Sequence, residues 1–278
     1  MKNFLSGIML AIFILAADSS LAQLITPAAS PKAVLTQNVG VSEIVVTWSR
    51  PAVKGRKVWG GLVPYNEIWR TGANANTTIK FSDAVTISGK EIPAATYGFH
   101  TIPGEKEWTL ILSKDNNLSG SFGYKQENDA LRITAVPMAT TEHTERLAFD
   151  VEELTDSTAE ISFRWEKLKV SFTVKFKTRD LILSKVNQNF SSGTPLAYAT
   201  YMLNNGMNLS EALNWVDKSI GVQESYWNVR IKARILEKMG KKSDAITMME
   251  KAIKMGEAMK STPFDFEDMK KLLADWKK

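Results

Sequence analysis

The chain has no cysteine, only two histidines, and no apolar run beyond its first twenty residues that is long enough to cross a bilayer. The missing cysteine excludes disulfide staples and lipid attachment through a cysteine, so the fold must rest on a buried core. With 278 residues there is enough chain to build one. Two histidines provide poorly for zinc and leave only His100 and His143 as imidazole bases for a hydrolase of the serine–histidine–aspartate kind. No phosphate-cradling glycine loop, dinucleotide fingerprint or nucleophile elbow is present. A carboxylate pair drawn from Glu43, Glu67 or Glu91 cannot be selected by spacing alone. We therefore expect no catalytic residue, no metal site and no cofactor, and rank a hydrolase last among the functions weighed. Charge excess is also small. Lysine and arginine number 35 against 30 acidic residues, which does not fit a nucleic-acid domain with basic residues crowded on one surface.

What is present begins with a leader pattern. Lys2 precedes an apolar stretch over residues 4–17, and Ser20-Leu21-Ala22 places small residues where a signal peptidase reads. The apolar stretch is short for a span. The expectation is a signal peptide over residues 1–22, cleavage near Ala22, and export to a periplasmic or extracellular location with no membrane span in the mature chain.

From about residue 32 to 177 the side-chain rhythm has period two, the mark of half-buried strands. Ile44, Val46 and Trp48 share one face, as do Trp108, Leu110 and Leu112. Further strands are expected over 78–81, 85–87, 96–102, 131–136 and 147–151, with turns at Ser88-Gly89-Lys90 and Pro103-Gly104. Ala159, Ile161, Phe163 and Trp165 alternate with polar residues, and Leu168, Val170, Phe172, Val174 and Phe176 do so again. Glu166-Lys167 between them reads as a hairpin turn. His143 falls in a polar stretch expected to be a loop. The fold class is α+β in two modules, an antiparallel β-sandwich over residues 23–177 followed by helical hairpins over 178–278.

Downstream of Thr178 the period becomes helical. Leu181, Ile182, Val186 and Phe190 suit a first helix; Thr194-Pro195 and Thr262-Pro263 look like helix starts, the latter with Asp265 near the positive helix end; Asn208 with Glu211 resembles a capping box. Gly206 and Gly240, 34 residues apart, are natural stops, and Ala212 and Ala245 are 33 apart. That period resembles the tetratricopeptide repeat. Two repeats are fewer than a free-standing solenoid needs, so the module is expected to dock on the sandwich or on a last helix whose Phe266, Met269, Leu273 and Trp276 form an apolar stripe. Its methionines and tryptophans read mainly as core, although hairpins of this kind also present a surface to protein partners.

The most unusual segment is residues 49–76, where Arg50, Lys54, Arg56, Lys57 and Arg70 face a single acid, Glu67, and Trp59, Tyr65 and Trp69 interleave with them. Ser49-Arg50-Pro51, Lys54-Gly55-Arg56, Trp59-Gly60-Gly61-Leu62-Val63-Pro64-Tyr65 and Trp69-Arg70-Thr71-Gly72-Ala73-Asn74, followed by Tyr97-Gly98-Phe99-His100-Thr101-Ile102-Pro103-Gly104, resemble the DUF2911 family over roughly residues 30–177. The resemblance implies architecture and an exported setting, and it brings no activity or ligand. Two readings of the segment stay open. In one, the arginines clamp loop carbonyls or carboxylates and the tryptophans complete the core. In the other, the loops present Arg50, Lys54, Arg56, Tyr65, Trp69, Arg70, Asn74 and His100 to a glycan or another anionic envelope ligand, with guanidinium forks gripping the acid and ring faces stacking on sugar.

Overall fold

The computed structural model describes residues 26–188, 191 and 193–278; the expected leader over residues 1–22 and Phe190 lie outside the described residues. Among the described residues ten strands form two open antiparallel sheets. The strands are β1 (Lys32–Val39), β2 (Ser42–Ser49), β3 (Thr77–Phe81), β4 (Val85–Ile87), β5 (Lys90–Ile92), β6 (Thr96–Ile102), β7 (Trp108–Ser113), β8 (Asp129–Ala135), β9 (Met138–Glu152) and β10 (Thr158–Phe176). One sheet runs β1-β2-β3-β6-β7-β8 and the other β5-β4-β10-β9. Their inner faces share one apolar core. Ile44, Val46, Phe99 and Leu110 come from the first sheet and Ile87, Val151, Phe163 and Val174 from the second, all at most 6 % exposed. Each such side chain removed from water contributes roughly 1.5–3 kcal/mol, which is what makes the period-two pattern decisive for which face turns inward.

Two strand readings need correction. Glu166-Lys167 is not a hairpin turn, because β10 continues through it for 19 residues. Its register against β9 shifts between Arg164 and Glu166 and again between Glu166 and Leu168. Glu166 sits at φ 55, so extra backbone is absorbed as a bulge. Across this stretch β10 advances from Arg164 to Leu168 while β9 runs from Ala148 to Ala139, the inward set of β10 moves from odd positions (Phe163, Trp165) to even ones (Val170, Phe172), and the sheet stays continuous. His143 lies in β9 rather than in a loop, 43 % exposed at its side chain and 3.2 Å from Glu145 Oε2. The Ser88-Gly89 turn holds both residues at positive φ (48 and 78), the geometry that a tight two-residue hairpin requires.

Helices follow: α1 (Thr178–Gln188), α2 (Gly193–Asn204), α3 (Leu209–Val222), α4 (Tyr226–Lys238), α5 (Lys242–Glu257) and α6 (Phe266–Lys277). Asn208 caps α3 by accepting the Glu211 amide at 3.1 Å, and Gly206 and Gly240 end α2 and α4 at positive φ. Two helix starts differ from expectation. α2 opens at Gly193, placing Thr194 and Pro195 inside its first turn, where a missing N–H costs nothing. α6 opens at Phe266, and Asp265 makes no side-chain cap; it accepts the Tyr226 hydroxyl at 2.9 Å and pairs with Arg230 at 2.9 Å, tying the last helix to α4. Ala212 and Ala245 are 0 % exposed, as small residues at a helix crossing must be. Phe266, Met269 and Trp276 pack with α4 and α5, so the hairpins dock on the final helix, while among the described residues no helical one belongs to the sandwich core.

Candidate functional site

Residues 49–76 wrap one end of the sandwich, and β9 decides what their side chains can reach. Leu147 N–H donates to the Pro51 carbonyl at 3.0 Å and Val53 N–H to Glu145 at 2.8 Å, so the segment covers the edge of β9. The Leu147 carbonyl then accepts from Arg50 Nε and Trp48 Nε1, each at 3.1 Å. Arg56 folds back on its own loop, Nε to Val53 O at 3.0 Å and Nη2 to Ala52 O at 2.5 Å. Lys54 is exposed, and its backbone amide is held by Glu145 Oε1 at 3.0 Å. Asn74 Nδ2 reaches Ser30 O at 3.2 Å and Ser49 Oγ at 3.4 Å. Tyr65 is half-buried against the core.

Trp69 is also built in. It lies parallel to Trp165 with ring centroids 5.8 Å apart and an interplanar angle of 17°, and its Nε1 donates to Gly72 O at 3.1 Å. Trp59 meets Trp69, Trp108 and Trp165 edge-on at 4.9–5.8 Å. Four indoles thus make a nest where the segment meets the core, and ring pairing of this kind is worth about 0.5–1.5 kcal/mol per pair beyond burial.

Arg70 behaves differently. Trp69 and Thr101 exchange backbone hydrogen bonds at 2.8 Å, which carries the chain along the open end of β6. Thr71 follows at φ 49 while 0 % exposed, an expensive conformation for a β-branched residue, held by its hydroxyl contact with Thr101 Oγ1 at 3.1 Å and by Thr77 Oγ1 donating to its carbonyl at 2.8 Å. The Arg70 guanidinium has no acidic partner among the described residues, its Nε is buried without an acceptor, and burial lowers its pKa.

His100 stands on the outward face of β6, opposite the core-facing Phe99, and is nevertheless 0 % exposed because the loop over residues 114–125 roofs it. Neither ring nitrogen has a well-formed hydrogen bond. Burial lowers its pKa to about 4, against the opposing pull of the nearby Gly120 and Gly98 carbonyls and Asp115, so the ring is neutral at neutral pH. Tyr124 packs on it at 5.3 Å between centroids. The Tyr124 hydroxyl donates to Asp129 Oδ2 at 2.8 Å, and Arg132 Nη1 lies 3.4 Å from that same oxygen. Burial, followed by Asp129, pushes the Tyr124 phenol up to about 12.

Gly120 links the two corners. At φ +75, its hypothetical Cβ would stand 3.3 Å from Arg70 Nη1 and 3.4 Å from the ring of Phe122, which is 97 % exposed. Ser121 Oγ and Asp129 Oδ1 are further buried atoms without partners. A guanidinium lacking a counter-ion, a neutral imidazole, a spare hydroxyl and an open phenyl ring therefore gather around one glycine. Chemically this can take up an anion and a ring beside it. Of the residues singled out from sequence, Arg70 and His100 come together here; Arg50, Lys54 and Arg56 lie along the β9 edge, Asn74 ties the loop to residue 30, and Tyr65 and Trp69 pack inward. Ser121, Phe122, Tyr124, Asp129 and Arg132 escaped the sequence reading. For Ser121, Phe122 and Tyr124 the signal was the Asn-, Gly- and Ser-rich run over residues 116–124, which carries both aromatics; Asp129 and Arg132 lie beyond it in β8.

A family model described as a protein of unknown function (DUF2911) matches residues 30–174, which include this whole arrangement and stop short of the helices. Comparison with curated proteins and with solved structures returns no match.

Proposed function

This chain belongs to the DUF2911 family, and from that premise we propose that it is an exported, non-enzymatic binding protein whose sandwich takes the carboxylate or phosphate group of an envelope ligand on Arg70. The observation that carries the reading is the guanidinium left without an acid in a partly buried place. Removing a cation from water is costly unless an anion accompanies it, and an incoming acid would offset that cost with a two-point contact. His100 and Ser121 lie buried beside it, the ring close to the Gly120 and Gly98 carbonyls and the Ser121 hydroxyl without a partner among the described residues. Arg50 and Arg56, spent on carbonyls, serve as clamps on the loop.

The test is calorimetric titration of the chain lacking residues 1–22 with inorganic phosphate and with glucuronate. Arg70→Ala is expected to weaken binding by about tenfold to a hundredfold, the worth of a charged hydrogen bond, with the circular dichroism spectrum unchanged. Equal affinity of a folded Arg70→Ala protein would sink the reading.

A second reading has its own observation. A groove of 620 Å³ between α2, α4 and α6 is lined by Asn204, Arg234, Glu237, Lys238, Leu272 and Trp276, a mixed surface of the kind that seats a protein segment. Crosslinking of the full chain and of a chain ending at Lys177 would separate the two, since partners kept by the shorter chain do not use the helices.

A further inference from the structure

We infer that the ligand is an acidic oligosaccharide, its charged sugar at Arg70 and Phe122 and a neighbouring sugar in a groove that the same two loops form with β1, β2 and β3. The inference rests on the reading of Arg70 as an anion clamp and names the class of molecule that the clamp takes.

The groove has a volume of 390 Å³, and its walls include Thr47, Ser49, Asn76, Thr78, Asn116 and Asn117. Among the described residues Lys32 is the one charged residue lining it. Amide and hydroxyl side chains both donate and accept, which matches the mixed donor–acceptor rim of a sugar, while Trp48 and Ala75 give the walls an apolar share that the C–H faces of a sugar can meet. Asn76 supplies the deficit that points to a ligand. It is 6 % exposed, its Nδ2 donates to Asp115 O at 3.3 Å, and its Oδ1 has no donor. That oxygen is buried behind the groove wall, and a turn of the Asn76 side chain into the groove it lines would bring it to a sugar hydroxyl. Asn117 is exposed, and its amide makes no hydrogen bond among the described residues.

Groove and clamp are joined through backbone. Thr77 N–H donates to Arg70 O at 3.2 Å, and Asn76 N–H donates to Leu118 O at 3.1 Å. The segment over 70–76 and the loop over 115–121 therefore contribute to both. Phe122, almost wholly exposed beside the guanidinium, offers the face on which the C–H side of a pyranose stacks while its carboxylate meets Arg70. An inorganic ion would use the clamp and leave both the ring and the amides idle.

Calorimetry on the chain lacking residues 1–22 would use four probes: inorganic phosphate, glucuronate, a glucuronate-containing tetrasaccharide, and the same tetrasaccharide with its carboxyls reduced to alcohols. The acidic tetrasaccharide is expected to bind at least about tenfold more tightly than glucuronate, and Asn117→Ala with Lys32→Ala to remove about fivefold or more of that gain, leaving phosphate affinity unchanged. Phe122→Ala should weaken both uronates and spare phosphate. Equal affinity for glucuronate and the tetrasaccharide, or a gain that survives the double substitution, overturns the groove assignment and leaves the anion clamp standing. Binding of the reduced tetrasaccharide alone, sensitive to the double substitution and indifferent to Arg70→Ala, keeps the groove and removes the clamp. Binding of none of the four overturns both.

Discussion

A neutral histidine sealed under a loop makes the sandwich acid-sensitive in a way that can be isolated. His100 is 0 % exposed with neither nitrogen partnered, and burial brings its pKa from 6.5 to about 4. Between those values the unfolded chain binds the proton and the folded chain does not. Stability is therefore complete above the unfolded value and falls as pH drops through the window. The gap between 6.5 and about 4 corresponds to about 3 kcal/mol in full, of which about 2 kcal/mol is gone by about pH 5. Other groups titrate in the same range, so the measurement is a difference: wild type against His100→Phe, at about pH 7.5 and about pH 5. Hydrogen exchange of peptides from β6 and β7 along a urea titration reads the sandwich separately from the helices. Wild type should lose about 2 kcal/mol more than the variant on acidification. Parallel loss in the two proteins would show that the imidazole is not held neutral, and the sealed-corner geometry would be wrong.

Gly98→Ala should cost about 2–3 kcal/mol, because its Cβ would stand 2.2 Å from the Asp115 carbonyl oxygen and 2.6 Å from Asn76 Nδ2, and backbone yields poorly; an unchanged urea midpoint would contradict it. Glu166→Gly should raise stability by about 1 kcal/mol, since φ 55 suits glycine, and Glu166→Val should lower it; thermal melts of the pair check both signs. Asn208→Ala should cost about 1 kcal/mol by releasing the Glu211 amide now held at 3.1 Å, seen as an earlier loss of far-ultraviolet helical signal.

Strands with one wet and one dry face were legible because burial itself writes their period. β2 is of this kind, its inward residues buried and its outward ones less so, whereas in β7 the outward Ile111 is buried as well and only its inward Trp108, Leu110 and Leu112 carry the period. The first half of β9 was not. Over residues 138–144 both faces are largely exposed, so no alternation separates it from a polar loop, and only its pairing with β10 makes it a strand. The phase reversal near Glu166 is equally mute, since a bulge and a tight turn shift the inward set alike. What distinguishes them is β9, which runs beside both halves of β10.

The arginines repeat the lesson at the site. Arg50 and Arg70 belong to one segment and one residue type, and nothing local tells them apart. Arg50 finds a carbonyl because Leu147, 97 residues away in sequence, passes within 3.1 Å; Arg70 meets no acceptor because the loop beside it brings Gly120 there. His100 adds the other half of the argument. An outward residue on a sandwich strand is normally wet, and a loop that roofs such a residue without satisfying it leaves a hydrogen-bond deficit inside the protein. Such a deficit costs the fold free energy. A ligand that brings an acid to Arg70 would reduce that cost, which is why we propose binding at Arg70 and not at the better-anchored Arg50.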